Sequence, residues 1–293
     1  MELFLQVLQI VAPVFILASI GFVWVRSGHE YDVAFVTRLA MNIAIPCLIF
    51  SALMRSQIEP AILWDTALAA LLAYGAVGGL VAFYVWATGL DQRTFWPALT
   101  FGNTGNLGMP LALFAFGTQG LDYAVVIFSV SAVLIFTVGL WVLAGRGRWL
   151  SVLREPMVIG TLLGVLFLVQ GWRLPEWAEN TVDLVGQLGI PLMLITLGVA
   201  ISGLRPGAVG RAAWLSALKL ALCLAAGWSV GWALDLPDVA QGVLMLQIAA
   251  PVAVTNYLLA EKYDAQAGEV AGLVMVSTSM AVVTIPVLLA FLI

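Results

Sequence analysis

Residues 94–117 read TFWPALTFGNTGNLGMPLALFAFG, a stretch long and apolar enough to be a membrane helix and yet interrupted at its centre. About 20 apolar residues cross a bilayer as a helix. Between Gly102 and Pro110 this one gathers Gly105, Gly108, Asn103, Asn106 and Thr104. Proline removes a backbone donor and clashes with the preceding turn, and glycine in a helix interior costs roughly 1 kcal/mol relative to alanine. A continuous helix is therefore not expected. Backbone that unwinds at membrane depth is tolerated only where protein or a water-filled cavity satisfies it. Two readings stay open, a proline kink and a break that opens onto a binding site.

The rest of the chain reads as membrane as well. Of 293 residues, 62% are hydrophobic and 10% charged, with mean hydropathy +1.06. Soluble domains carry about 25% charged residues, so lipid must be the main solvent. With charges and turn residues as punctuation, ten spans are expected: 3–25, 32–54, 61–87, 94–117, 121–143, 154–171, 181–202, 212–233, 238–260 and 267–292. The fold class is an all-α polytopic membrane protein. The short connections leave no room for a soluble domain. The first span, with Glu2 where a signal peptide would carry a base, is read as retained.

Lysine and arginine orient the chain. With the N-terminus outside, the inner loops hold Arg26, Arg38, Arg93, Arg146, Arg148, Arg154, Arg205, Arg211 and Lys262, against Arg55 and Arg173 outside. Both termini are then extracytoplasmic, in a cell (inner or plasma) membrane. Trp24, Trp64, Trp86, Trp141, Trp172, Trp214 and Trp232 fall near span ends, as interface anchors do.

The halves repeat. NIAIPCLIFSAL at 42–53 matches QLGIPLMLITLG at 187–198, pairing Asn42 with Gln187 and Pro46 with Pro191. Ser129-Val130-Ser131 matches Ser277-Thr278-Ser279. The offsets, 145 and 148 residues, are near half the chain. Five spans per half invert the second repeat, 146–293, relative to the first, 1–145, the plan of many secondary transporters. The ninth span, GVLMLQIAAPVAVTNYLLAEKY, is then the counterpart of the fourth, interrupted by Gln247, Pro251, Thr255 and Asn256. Paired interruptions in opposite halves point to a transport site. Expected at the site are Asn103, Thr104, Asn106 and Pro110 from one break, and Gln247, Pro251, Thr255 and Asn256 from the other. The breaks, expected near Gly105–Pro110 and Ala250–Pro251, each leave a half-helix start with free N–H groups and about half a positive charge, suited to an anion.

The four segments NIAIPCLIFSAL, GNTGNLGMPLALFAFG, GIPLMLITLG and APVAVTNYLLAEKY resemble the auxin efflux carrier family, including its bacterial malonate-transporter-like members and the plant PIN carriers. The resemblance spans nearly the whole chain, although the long central loop of many plant carriers is missing here. It implies ten helices in two inverted repeats and broken, crossing fourth and ninth helices. These belong to a mobile domain that moves elevator-fashion against a scaffold of spans 1, 2, 6 and 7, where Asn42, Pro46, Gln187 and Pro191 lie. It also implies homodimers and small organic anion substrates.

No carboxylate falls mid-span, which disfavours a buried carboxylate proton relay. Sodium coupling is not excluded, since Asn, Ser, Thr and carbonyl groups suffice as ligands; Ser129, Ser131, Ser277 and Ser279 are candidates. Lys219 is the one ionisable residue at depth, either snorkelling to the inner interface or serving as counter-charge or surrogate coupling cation. Cys47, Cys223 and His29 make neither a disulfide framework nor a zinc site. No cofactor is expected, and the absence of a basic run excludes nucleic acid. An intramembrane enzyme lacks its motifs, with no H-E-x-x-H and no embedded aspartate pair. A channel or sensor remains the alternative to a carrier.

Overall fold

Apolar tracts become helices because a helix satisfies its own backbone groups inside lipid. The structure, a computed structural model, describes residues 2–144, 156–203 and 209–293. Arg146, Arg148, Arg154 and Arg205 of the charge argument, and the boundary between the proposed halves, lie outside the described residues. The helices are α1 (Glu2–Arg26), α2 (Val33–Arg55), α3 (Pro60–Ala87), α4 (Gln92–Thr100), α5 (104–116), α6 (118–143), α7 (Pro156–Gln170), α8 (Glu176–Gly203), α9 (Val209–Ala233), α10 (Asp238–Ile248), α11 (Val254–Lys262) and α12 (Ala267–Leu292). Helices α5 and α6 form one helical tract, Thr104–Leu143, turned at Gly117, whose φ of 65° and ψ of −154° suit glycine alone. Seven tracts are long and apolar enough to cross a membrane, and α7 and α10 are shorter apolar helices. No strand forms among the described residues.

Helix ends follow local chemistry. Asp32 caps α2 by accepting from Phe35 N at 2.9 Å, and Asp91 caps α4 by accepting from Thr94 N at 3.0 Å. Helices α8 and α10 start just after Pro175 and Pro237 with Glu176, Glu179 and Asp238 in their first turns, where the helix dipole favours negative charge. The seven tryptophans expected at span ends are all exposed. So are large apolar side chains such as Phe83, Leu162 and Phe291, which a lipid-facing surface explains.

Two packing groups result. Helix α1 lies on the second half of α8, and α2 lies on α7 and on the first half of α8. Glycines make these approaches close. A Cβ on Gly198 would sit 1.7 Å from Ala18 O, one on Gly21 2.0 Å from Ile195 O, and one on Gly160 2.7 Å from Pro46 O. Small residues at such crossings replace the hydrophobic drive that lipid removes. The second group joins α3 to α4, α6 and α9, and packs α10 on the α5–α6 tract and α9 and α11 on α12. Arg93 ties the ends of this group together, donating to Leu143 O and Tyr263 O at 2.8 Å each.

Prolines shape the interior in one recurrent way. Asn42 and Pro46, Asn106 and Pro110, Gln187 and Pro191, and Gln247 and Pro251 are each four residues apart. A proline cannot donate to the carbonyl four residues back, so each amide residue sits where a backbone acceptor is freed. In α2 and α5 the chain responds by widening to π-turns, Ala40–Ala44 and Thr104–Gly108. At Leu188 the helix is jointed, and after Ile248 it breaks.

Candidate functional site at the crossing of two helix breaks

The first break falls at residues 101–103, earlier than the Gly105–Pro110 stretch to which the sequence pointed. Phe101 is extended (φ −102°, ψ 118°) and helix resumes at Thr104. Pro110 therefore lies in the second turn of the resumed helix, just after a π-turn at whose start Leu107 N and Gly108 N both donate to Asn103 O, at 3.2 and 3.0 Å. The second break, Ala249–Ala253, falls where Pro251 placed it.

The two breaks touch. Gly102 and Val252 form an isolated antiparallel bridge, and Asn103 N donates to Pro251 O at 2.7 Å. Glycine is required there, because a Cβ on Gly102 would lie 2.6 Å from Ala250 O. Side chains complete the backbone accounting. Ser277 Oγ accepts from Val252 N at 3.0 Å, Asn256 Nδ2 donates to Phe101 O at 2.9 Å, and Asn103 Oδ1 accepts from Asn106 N at 3.2 Å. Asn103 Nδ2 and Asn256 Oδ1 are buried without a hydrogen-bond partner, so each amide has capacity left at the crossing.

The structure removes one of the two readings left open for Lys219. The side chain does not snorkel to an interface; it is 2% exposed and reaches into the protein. Its Nζ donates to Ala250 O at 2.7 Å and Ile248 O at 3.3 Å, the carbonyl end of α10. A cation there complements the negative end of the helix dipole.

Around the crossing, the two helix groups enclose two cavities. One, of about 30 Å³, is lined by Thr37 of α2, Met193 and Thr196 of α8, Asn106 of α5 and Thr255 of α11. It holds the first turns of both resumed half-helices and no charged side chain. The other, of about 590 Å³, lies at the opposite end of α2, between Ser51, Arg55 and Asp183 on one side and Gln119, Asp122 and Tyr123 on the other. Arg55 is paired with Glu179 at 2.7 Å and Asp183 at 3.1 Å, locking α2 to α8.

The other expected residues divide. Thr104 is buried in the π-turn. Gln247 is fully buried against Gly108, with Nε2 3.4 Å from Ala124 O, and does not line the small cavity. Of the four serines, only Ser277 holds the break. Ser129 bonds Val125 O and Thr161 Oγ1, Ser279 bonds Met275 O on an exposed face, and Ser131 is buried in α6. Asn42, Pro46, Gln187 and Pro191 lie in the α2–α8 group. Asp122 was missed: it sits one residue inside the predicted start of a span but is only 8% exposed and lines the larger cavity.

A family model described as "Membrane transport protein" matches residues 6–152 and 146–289. An uncharacterized transporter of Methanothermobacter thermautotrophicus is 27% identical over 301 residues, covering 97% of this chain and 98% of its own. An uncharacterized transporter of Methanocaldococcus jannaschii is 24% identical over 195 residues, 63% of each chain. With that match across nearly its whole length, the chain belongs to the membrane transport protein family, that of the auxin efflux carriers, and is a multi-pass membrane transporter.

Proposed function

We propose that the protein is a secondary carrier for a small organic anion, a carboxylate, bound where the two helix breaks cross. The observation that carries this reading is the bridge between Gly102 and Val252, beside which the starts of α5 and α11 reach one cavity through Asn106 and Thr255. Two helix starts bring N–H groups and partial positive charge to one point, and neutral donors stand around them. No acidic side chain lines that cavity to attract a cation instead.

The carrier works by moving the crossing. Parting α5 and α11 from α2 and α8 widens the cavity, about 30 Å³ in this state, to admit a carboxylate. The division into a group of α1, α2, α7 and α8 and a group holding both breaks supports an elevator, with the first as scaffold. Joining α4 to α5 and α10 to α11 as single broken spans gives ten crossings, in inverted repeats 1–145 and 146–293. Shifted by the 145 residues that separate Pro46 from Pro191, α3 overlaps α9, which supports that repeat. We propose also a homodimer formed through the scaffold, residence in the cell membrane, and both termini extracytoplasmic. The test is counterflow in proteoliposomes. Saturable exchange of labelled for unlabelled carboxylates is expected, whereas flux without saturation or trans-acceleration identifies a channel.

A further inference from the structure

Lys219 occupies a position that the fold does not reserve for a cation. Its counterpart by offset, Tyr74, places a neutral hydroxyl there, buried and without a hydrogen-bond partner. Yet Lys219 lies 2% exposed with its three donors facing Ala250 O, Ile248 O and, at 3.8 Å, Cys223 Sγ. It makes no ion pair among the described residues. A buried ammonium without a carboxylate is heavily disfavoured by desolvation, and a four-carbon stem could carry the charge toward an interface instead. What holds it in place is the carbonyl end of α10, which carries about half a negative charge and presents the oxygen ligands that hard cations take.

We infer that Lys219 is a resident cation standing where a driven carrier would bind its coupling ion, so that transport runs without sodium, and that removing its charge creates a sodium requirement. The inference rests on the carrier reading above. The Ile248 carbonyl ends α10, and the Ala250 carbonyl lies in the break, two residues before the bridged Val252 and against Gly102. Neutralising their partner therefore leaves the crossing short of one positive charge. A sodium ion can replace it, because the oxygens remain aimed at the vacated space. A merely structural lysine predicts something else: loss of stability on truncation that no salt repairs.

The test compares purified wild type, K219R and K219A in sodium chloride and in choline chloride of equal ionic strength, by thermal unfolding and by carboxylate uptake. Wild type and K219R should unfold at the same temperature in both salts. K219A should unfold lower in choline and recover by about 2 °C or more in sodium, and its uptake should rise at least about fivefold with sodium. Sodium-dependent uptake or sodium stabilisation of the wild type overturns the inference, and needs no variant to be seen. So does a folded K219A with the same unfolding temperature and uptake in both salts. The unfolding arm needs no substrate, so a wrong substrate class leaves its outcome intact.

Discussion

Replacing Gly102 by alanine tests the crossing at its tightest point. The added Cβ would lie 2.6 Å from Ala250 O and 3.3 Å from Ala250 Cβ, while real Cβ contacts essentially never fall below 3.0 Å. The opposing atom is backbone, so no rotamer change relieves it, and the two breaks must separate by roughly 0.4 Å or more. That lengthens the bond from Asn103 N to Pro251 O, now 2.7 Å, to roughly 3.1 Å, still an ordinary hydrogen bond. Overpacking of this kind costs about 1–3 kcal/mol. If the same displacement reaches the half-helix starts, uptake should fall by about tenfold or more, since sub-ångström misplacement of positioned groups is costly. The assay is thermal unfolding of the purified protein alongside counterflow. Gly79→Ala is the control, because its Cβ would meet nothing within 4 Å. A Gly102→Ala protein that unfolds and transports like wild type would refute the reasoning that the breaks touch and must.

Asn106→Ala and Thr255→Ala should each reduce carboxylate counterflow about tenfold, as loss of one charge-assisted hydrogen bond does, while purification yield and unfolding temperature hold; unchanged counterflow in both removes these residues from the site. Gly198→Val should prevent α1 from seating on α8, since even a Cβ would fall 1.7 Å from Ala18 O. A loss of about 3 kcal/mol or more is expected, read as a collapse in folded yield by size-exclusion chromatography, and a normal yield contradicts the packing. A C-terminal reporter active only in the cytoplasm should stay silent, and a strong signal reverses the topology.

Much of this was legible because lipid imposes simple rules. The helix boundaries follow runs of apolar residues closed by charges, and Ala267–Leu292 falls where hydropathy alone placed it. Pro251 marked the second break correctly: the helix ends at Ile248 and resumes at Val254. The first break was misplaced because Pro110 was read as the breaker. A π-turn accommodates that proline, and the rupture moves back to Gly102, where the other break must pass. Gln247 was read as cavity-facing because a buried amide is costly without a partner. Its placement against Gly108 depends on tertiary packing that no local pattern encodes. The direction of Lys219 was likewise undecidable from α9 alone. It hinges on where the carbonyl end of α10 arrives in space, and that arrival is set by the other half of the chain.

The claim that the crossing is an anion cradle is tested most directly by competition binding to purified protein with matched small molecules, each carboxylate beside its neutral amide of the same shape. The account predicts that acids compete at concentrations at least about tenfold lower than their amides, and that Asn106→Ala narrows the gap. Amides that bind as tightly as the acids would contradict it.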